Sequence, residues 1–184
     1  MTIGVLALQG CIEPHLKMIQ KVGLTARQVK CVEDLGEIDR LIMPGGESTT
    51  MLKLLARTEL DQGIVEFAKN HPVWGVCAGA ILIAREVIHP CQKSLGLMDI
   101  QSVRNYYGPQ TESFRAKINF SEPDMCVSVD FIRAPLLKPI SPQVKILARF
   151  DDQAVFVRQG HILASSFHIE LGEDCRLHRY FAEL

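Results

Sequence analysis

The chain opens on an unbroken apolar run, Ile3-Gly4-Val5-Leu6-Ala7-Leu8, with no polar position to mark an exposed face. Such continuity predicts a strand buried on both sides, as in a parallel sheet. After Gln9-Gly10 the pattern changes period. Ile12, Leu16, Ile19 and Val22 fall at helical spacing, and Gly23 stands where helices end. Thr25–Val32 and Leu41–Met43 read as the next strands, the second closed by Pro44-Gly45-Gly46. Thr49–Leu55 and Leu60–Ala68 read as helices, Val73–Val76 as a short buried strand, and Ala78–Val87 as one further helix. Strands alternating with helices predict an α/β domain with a parallel sheet.

Beyond residue 115 the rhythm is different. Lys117–Phe120, Cys126–Ile132, Val144–Phe150, Ala154–Gln159 and Ile162–Ser166 are strand candidates in succession, with hairpin turns at Asp151-Asp152 and Gly160-His161. An antiparallel extension of the parallel sheet accounts for them, and 175–184 closes the chain as a short helix. No linker or repeat divides the 184 residues, so one domain over 1–184 is expected.

Composition narrows the function classes. Apolar residues are 47% and charged residues 22%, the balance of a globular chain. No apolar stretch approaches the ~18 residues of a membrane span, and Met1-Thr2-Ile3 has no basic n-region of a signal peptide. The expectation is a cytoplasmic protein with no membrane association. Twenty Lys+Arg against 21 Asp+Glu leaves a net charge of −1, which argues against a nucleic-acid footprint. The six cysteines include no C-x-x-C pair, so they read as free thiols, each ordinarily a small buried hydrophobe.

One cysteine breaks that reading. Gly75-Val76-Cys77-Ala78-Gly79 follows a strand and precedes a helix, the nucleophile-elbow pattern with cysteine for serine. Small flanking residues let a sharp turn present the central side chain above the sheet. A thiol near its usual pKa of ~8.5 needs a base. Among six histidines, His168 alone follows a strand candidate and precedes a carboxylate by two residues, in Ser166-Phe167-His168-Ile169-Glu170. In extended chain, i and i+2 share a side, so Glu170 can fix the imidazole. Pro44-Gly45-Gly46-Glu47-Ser48-Thr49-Thr50 ends another strand on the ligand-binding edge of such a sheet. Its paired glycines suit an oxyanion hole, and Ser48 or Thr49 suits a helix cap.

Together these three motifs resemble the class I, triad-type glutamine amidotransferases. Further segments narrow the resemblance to the glutaminase subunits of two-component pyridoxal 5′-phosphate synthases. They are Ile3–Gly10, Leu95–Ile100, Arg104-Asn105-x-x-Gly108, Glu112-Ser113-Phe114 and Phe131-Ile132-Arg133-Ala134-Pro135. The resemblance implies a flavodoxin-like single domain: a mostly parallel sheet flanked by helices. It implies Cys77 as nucleophile, His168 as base and Glu170 as its orienter. It implies a glutamine site of Gly46, Glu47, Ser48, Arg104, Ile132 and Arg133, with oxyanion donors at Gly46 and Ala78. No cofactor and no metal are implied. The implied partner is a (β/α)8-barrel synthase subunit, in a hetero-oligomer on a multimeric synthase core, which uses the ammonia. Where the family has His-Pro-Glu this chain has His168-Ile169-Glu170, which predicts a less fixed loop. The Gly45–Gly46 peptide is expected to wait in a non-productive orientation until the synthase docks, and the first helix, with Glu13 and His15, is the expected docking surface. Two alternatives stand beside this reading: another class I amidotransferase subunit, or a redox or stress protein of the same fold.

Overall fold

A computed structural model describes residues 1–184. The first strand, β1 (Thr2–Leu6), is followed by α1 (Ile12–Lys21), β2 (Thr25–Val29), β3 (Arg40–Met43), α2 (Ser48–Arg57), α3 (Leu60–Phe67), β4 (Val73–Val76) and α4 (Ala78–Ile83). Then come β5 (Ala84–Ile88), β6 (Met98–Val103), β7 (Phe114–Ser121), β8 (Asp124–Phe131), β9 (Leu136–Pro139), β10 (Lys145–Phe150), β11 (Gln153–Gln159), β12 (Ile162–Ser165) and α5 (Arg176–Ala182).

Nine strands form one sheet in the order β2-β1-β3-β4-β12-β11-β10-β7-β8. The first five are parallel, in the flavodoxin-like arrangement, and the remaining pairings are antiparallel. The antiparallel extension is therefore present where the strand succession placed it. The two hairpins expected there turn at Asp151 (φ 46°) and Asp152 (φ 61°), and at Gly160 (φ 59°), and a third joins β7 to β8.

Alternation along the parallel strands sorts side chains to two layers. Ile3, Val5, Ile42 and Trp74 pack toward α1 and α5 with Leu16, Ile19, Leu177 and Phe181. Leu6, Leu41, Met43 and Val73 pack the other way, against Met51, Leu55, Ile64 and Leu82 of α2, α3 and α4. No helix is long and apolar enough to cross a membrane.

One expected element divides in two. The helix read over 78–87 stops at Ile83, where Ala84 turns extended (φ −62°, ψ 149°). The chain then runs as β5, paired parallel to β6, which pairs antiparallel to β9 in a separate three-stranded sheet. Ala-Arg-Glu-Val-Ile is compatible with either period, and the partner strand decides it.

Candidate active site

The carboxyl ends of β1, β3, β4 and β12 converge on one cavity of about 240 Å³, below the ~300 Å³ where drug-sized pockets begin and suited to an amino-acid-sized ligand. Strand order reverses between β1 and β3, so this is the crevice where open α/β sheets bind ligands.

Cys77 stands between β4 and α4 with φ 49° and ψ −100°, a strained conformation for a residue with a side chain. Both flanking glycines are required by close approach. A Cβ on Gly79 would lie 2.0 Å from the Met43 carbonyl oxygen, and one on Gly75 2.6 Å from the Gly79 oxygen. The Cys77 N–H donates to Ser165 O at 2.8 Å, tying the elbow to β12. Its Sγ lies 3.7 Å from Ile132 O.

His168 reaches the cavity from the far side. Its Nδ1 is 2.6 Å from Glu170 Oε1, and the two side chains are 5% and 0% exposed. Burial alone would discourage the imidazolium. The hydrogen bond with Glu170 and the neighbouring Cys11 and Cys77 thiols outweigh it and raise the His168 pKa. Burial would likewise favour a protonated Glu170, yet its neighbours keep the carboxyl ionised, below the usual range. Imidazole and carboxylate are thus hydrogen-bonded to each other, and the Cys77 thiol lines the same cavity as the imidazole. The loop loosened by Ile169 is not what is found. His168 N donates to Asp130 O at 2.8 Å and Asp130 N to His168 O at 3.0 Å, while Ile169 is buried in the core. Backbone pairing to β8 and burial of the isoleucine side chain take over the fixing that proline would supply.

The glycine loop is held by hydrogen bonds from its neighbours. Cys11 N donates to Gly45 O at 2.9 Å, and Glu47 N donates to Gln9 Oε1 at 2.8 Å. Helix α2 is capped by Glu47, which accepts from Thr50 N at 2.8 Å, rather than by Ser48 or Thr49. A carboxylate reaches the same N–H and adds a charge at the positive helix end. Partial burial opposes ionisation of Glu47, but the Thr49 hydroxyl and the Thr50 N–H and hydroxyl hold its pKa to about 2. Its other oxygen pairs with Arg104 Nη2 at 3.2 Å. Ser48 is buried and donates to Gln92 Oε1 at 3.0 Å.

All nine residues singled out for chemistry or glutamine contact, apart from Glu170, line this cavity, as does Ala78. Glu170 sits behind His168. The structure adds Cys11, Ile81, Asn105 and Gln110, which sequence reasoning missed. Asn105 directly follows Arg104. Cys11 directly follows Gln9-Gly10, and only the fold brings it to His168. Donor atoms of Cys11, His168 and Glu170 lie within 4.8 Å of one another, but the short His168–Glu170 hydrogen bond already commits two of them to each other. The arrangement is that of an oriented base rather than an ion cage.

His15 departs from expectation. It is fully buried against Trp74 and His178, so it is no part of an exposed docking surface. It shares the inward row of α1 with Leu16 and Ile19.

Residues 5–184 match the family model described as the SNO glutamine amidotransferase family. A protein of Brevibacillus brevis named pyridoxal 5′-phosphate synthase subunit PdxT is 45% identical over 185 residues, covering 100% of this chain and 97% of the relative. The protein of that name from Deinococcus radiodurans is 44% identical over 190 residues, covering 100% and 97%. A solved structure described as a glutamine amidotransferase superposes with a TM-score of 0.93 at 41% identity, covering 98% of this chain and 97% of that one. The PurLQS structure of Thermotoga maritima, with a TM-score of 0.76 at 14% identity, shares the fold.

Proposed function

We infer, from the premise that the chain belongs to the SNO glutamine amidotransferase family, that it is the glutaminase subunit of a pyridoxal 5′-phosphate synthase. It hydrolyses L-glutamine to L-glutamate and ammonia and delivers the ammonia to a synthase subunit. The observation that carries the reading is the meeting of the strained Cys77 elbow with the His168–Glu170 pair in one cavity of amino-acid size.

Chemistry begins with the Cys77 sulfur attacking the side-chain amide carbon of glutamine. The oxyanion that forms is received by the backbone N–H groups of Gly46 and Ala78, each such donor lowering a barrier by ~3–4 kcal/mol. His168 imidazolium gives its proton to the amide nitrogen, the C–N bond breaks, and ammonia leaves a γ-glutamyl thioester. The neutral imidazole then takes a proton from water. Hydroxide attacks the thioester, the C–S bond breaks, and glutamate departs. Glu170 holds the Nδ1–H tautomer and stabilises each imidazolium. Arg104 is suited to the substrate α-carboxylate and Glu47 to its α-ammonium, opposite charges that satisfy each other at 3.2 Å. Ser48, Ile132 and Arg133 complete the wall.

The partner is a (β/α)8-barrel synthase on a multimeric core, and residues 1–184 act as one glutaminase domain. The Cys11 N–H donates to Gly45 O, which ties the start of α1 to the Gly45–Gly46 peptide of the oxyanion loop. Docking of the synthase near α1 is therefore read by the peptide that supplies an oxyanion donor. Mixing the chain with a cognate synthase subunit and following glutamate release and pyridoxal phosphate formation together tests this reading. Glutamate release undiminished by Cys77→Ser would refute the nucleophile. Full glutaminase activity without synthase would refute the docking control.

A further inference from the structure

Behind the triad, on the side away from the cavity, lie two histidines that the reaction as written does not use. His15 Nε2 of α1 is 3.6 Å from Glu170 Oε1, and His15 Nδ1 is 2.9 Å from His178 Nε2 of α5. His15 and His178 are 0% exposed and Glu170 3%. Both rings stand edge-on to Trp74, with centroids 6.1 and 5.1 Å away. Burial lowers the pKa of each, His178 to about 3, so both are neutral imidazoles with one N–H apiece. The ionisable groups facing His15 are Glu170 and His168, from the segment after β12, and His178 from α5; β4 offers only the Trp74 ring.

The tautomers follow from the geometry. His15 Nε2 has no hydrogen-bond partner and faces the Glu170 carboxylate, whose Oε1 is 3.6 Å away and whose Oε2 is also without a partner. Were the His15 hydrogen on Nδ1, a lone pair would face a buried carboxylate. With the hydrogen on Nε2, the N–H points at Glu170, and Nδ1 accepts from His178 Nε2–H. His178 Nδ1 is then a bare acceptor, in agreement with its lack of a partner. At 3.6 Å the His15–Glu170 contact is electrostatic rather than a hydrogen bond. Two N–H dipoles are thus lined up on the carboxylate from behind, while His168 donates from the front.

We propose that His15, backed by His178, is a positioning residue of the glutaminase centre: a neutral N–H donor that keeps Glu170 ionised and aimed at His168. A lysine or arginine there would compete with His168 for the carboxylate by forming its own ion pair. A neutral imidazole supports the anion and leaves its charge for the imidazolium. Two imidazoles placed in an apolar layer, each leaving a ring nitrogen without a hydrogen bond, carry a desolvation cost that leucine would not.

The proposal rests on the glutaminase reading, and its test separates the two. The synthase complex carrying His15→Leu, His15→Gln or His178→Leu is assayed for glutamate release from pH 5 to 9. His15→Leu is expected to lower kcat at least about tenfold with KM little changed, because the lost group acts through the base. The acid limb of its kcat profile moves to higher pH, since Glu170 without a supporting N–H takes up a proton sooner. His15→Gln, whose amide N–H replaces Nε2–H, recovers most of kcat and restores the limb. His178→Leu shifts the limb in the same direction by less. Equal losses in the Leu and Gln variants with an unmoved limb would overturn the proposal. Nitrogen NMR of the unmodified chain decides the matter without variants. Neutral Nε2–H tautomers of both histidines between pH 6 and 9 support it, and a charged or Nδ1–H His15 overturns it. Absence of glutamine hydrolysis by the unmodified complex would instead strike the functional reading, leaving the tautomer measurement standing.

Discussion

Gly45→Ala isolates the position of the catalytic base from the stability of the fold. A Cβ at residue 45 would lie 2.2 Å from His168 Cε1 and 3.1 Å from both ring nitrogens. Carbon atoms in contact keep about 3.5 Å apart, so the ring must withdraw by roughly 1.3 Å. It cannot do so freely, because its Nδ1 is held 2.6 Å from a buried carboxylate and its backbone is bridged to Asp130. Gly45 has no positive φ, so alanine fits the backbone itself. Misplacing a catalytic group by about 1 Å costs on the order of a hundredfold in rate, about 2.7 kcal/mol of barrier. The variant is expected to lose glutaminase kcat by about that factor, with KM for glutamine nearly unchanged because Glu47 and Arg104 are untouched. Its thermal midpoint should stay within a few degrees of the parent. The assay is steady-state glutamate release by the synthase complex beside a thermal unfolding curve. A kcat within twofold or threefold of the parent would show that the imidazole does not act from where it stands.

Three other expectations follow from the same geometry. Gly79→Ala sets its Cβ 2.0 Å from a backbone oxygen of β3, which no rotamer relieves, so a large drop in the unfolding midpoint or loss of soluble protein should appear; a parent-like midpoint would contradict the close approach. Arg104→Ala removes a charge paired with Glu47 and facing the cavity, and is expected to raise KM for glutamine about tenfold or more with a smaller effect on kcat, as steady-state kinetics will show. Because His15 and His178 are buried neutral, with folded pKa values below 6.5, their stabilising contribution is complete above pH 6.5 and is lost as pH falls. Urea unfolding between pH 6.5 and 5 should show stability falling by up to about 1.4 kcal/mol per pH unit for each histidine, and His178→Leu should reduce that slope.

The elements most legible in the sequence are those whose cause is local. Gly75 and Gly79 are required by collisions within a few residues of Cys77 and at the adjoining strand, and Asp151-Asp152 turns the hairpin by its own positive φ values. The two-residue spacing of His168 and Glu170 translates directly into a 2.6 Å contact. What escaped depends on partners far along the chain. Residues 84–88 follow either period until Met98–Val103 pairs with them. Glu47 rather than Ser48 or Thr49 caps α2 because its backbone is extended at φ −106°, ψ 109°, a conformation set where the glycine loop meets Gln9. Cys11 becomes part of the cavity only because α1 begins where the sheet reverses its strand order. The burial of His15 is legible in the sequence, since it lies between Ile12 and Ile19 on the apolar row of α1. A polar residue in that row is buried and partnered far more readily than displayed.

The account rests on Cys77 forming the bond to glutamine, and the intermediate can be caught. Quenching the synthase complex during turnover of isotopically labelled glutamine and mapping peptides by mass spectrometry locates the γ-glutamyl thioester. The account predicts the label on the peptide bearing Cys77, and none after Cys77→Ser. Label on the Cys11 peptide instead, or glutamate release continuing at the parent rate in the Cys77→Ser complex, would contradict it.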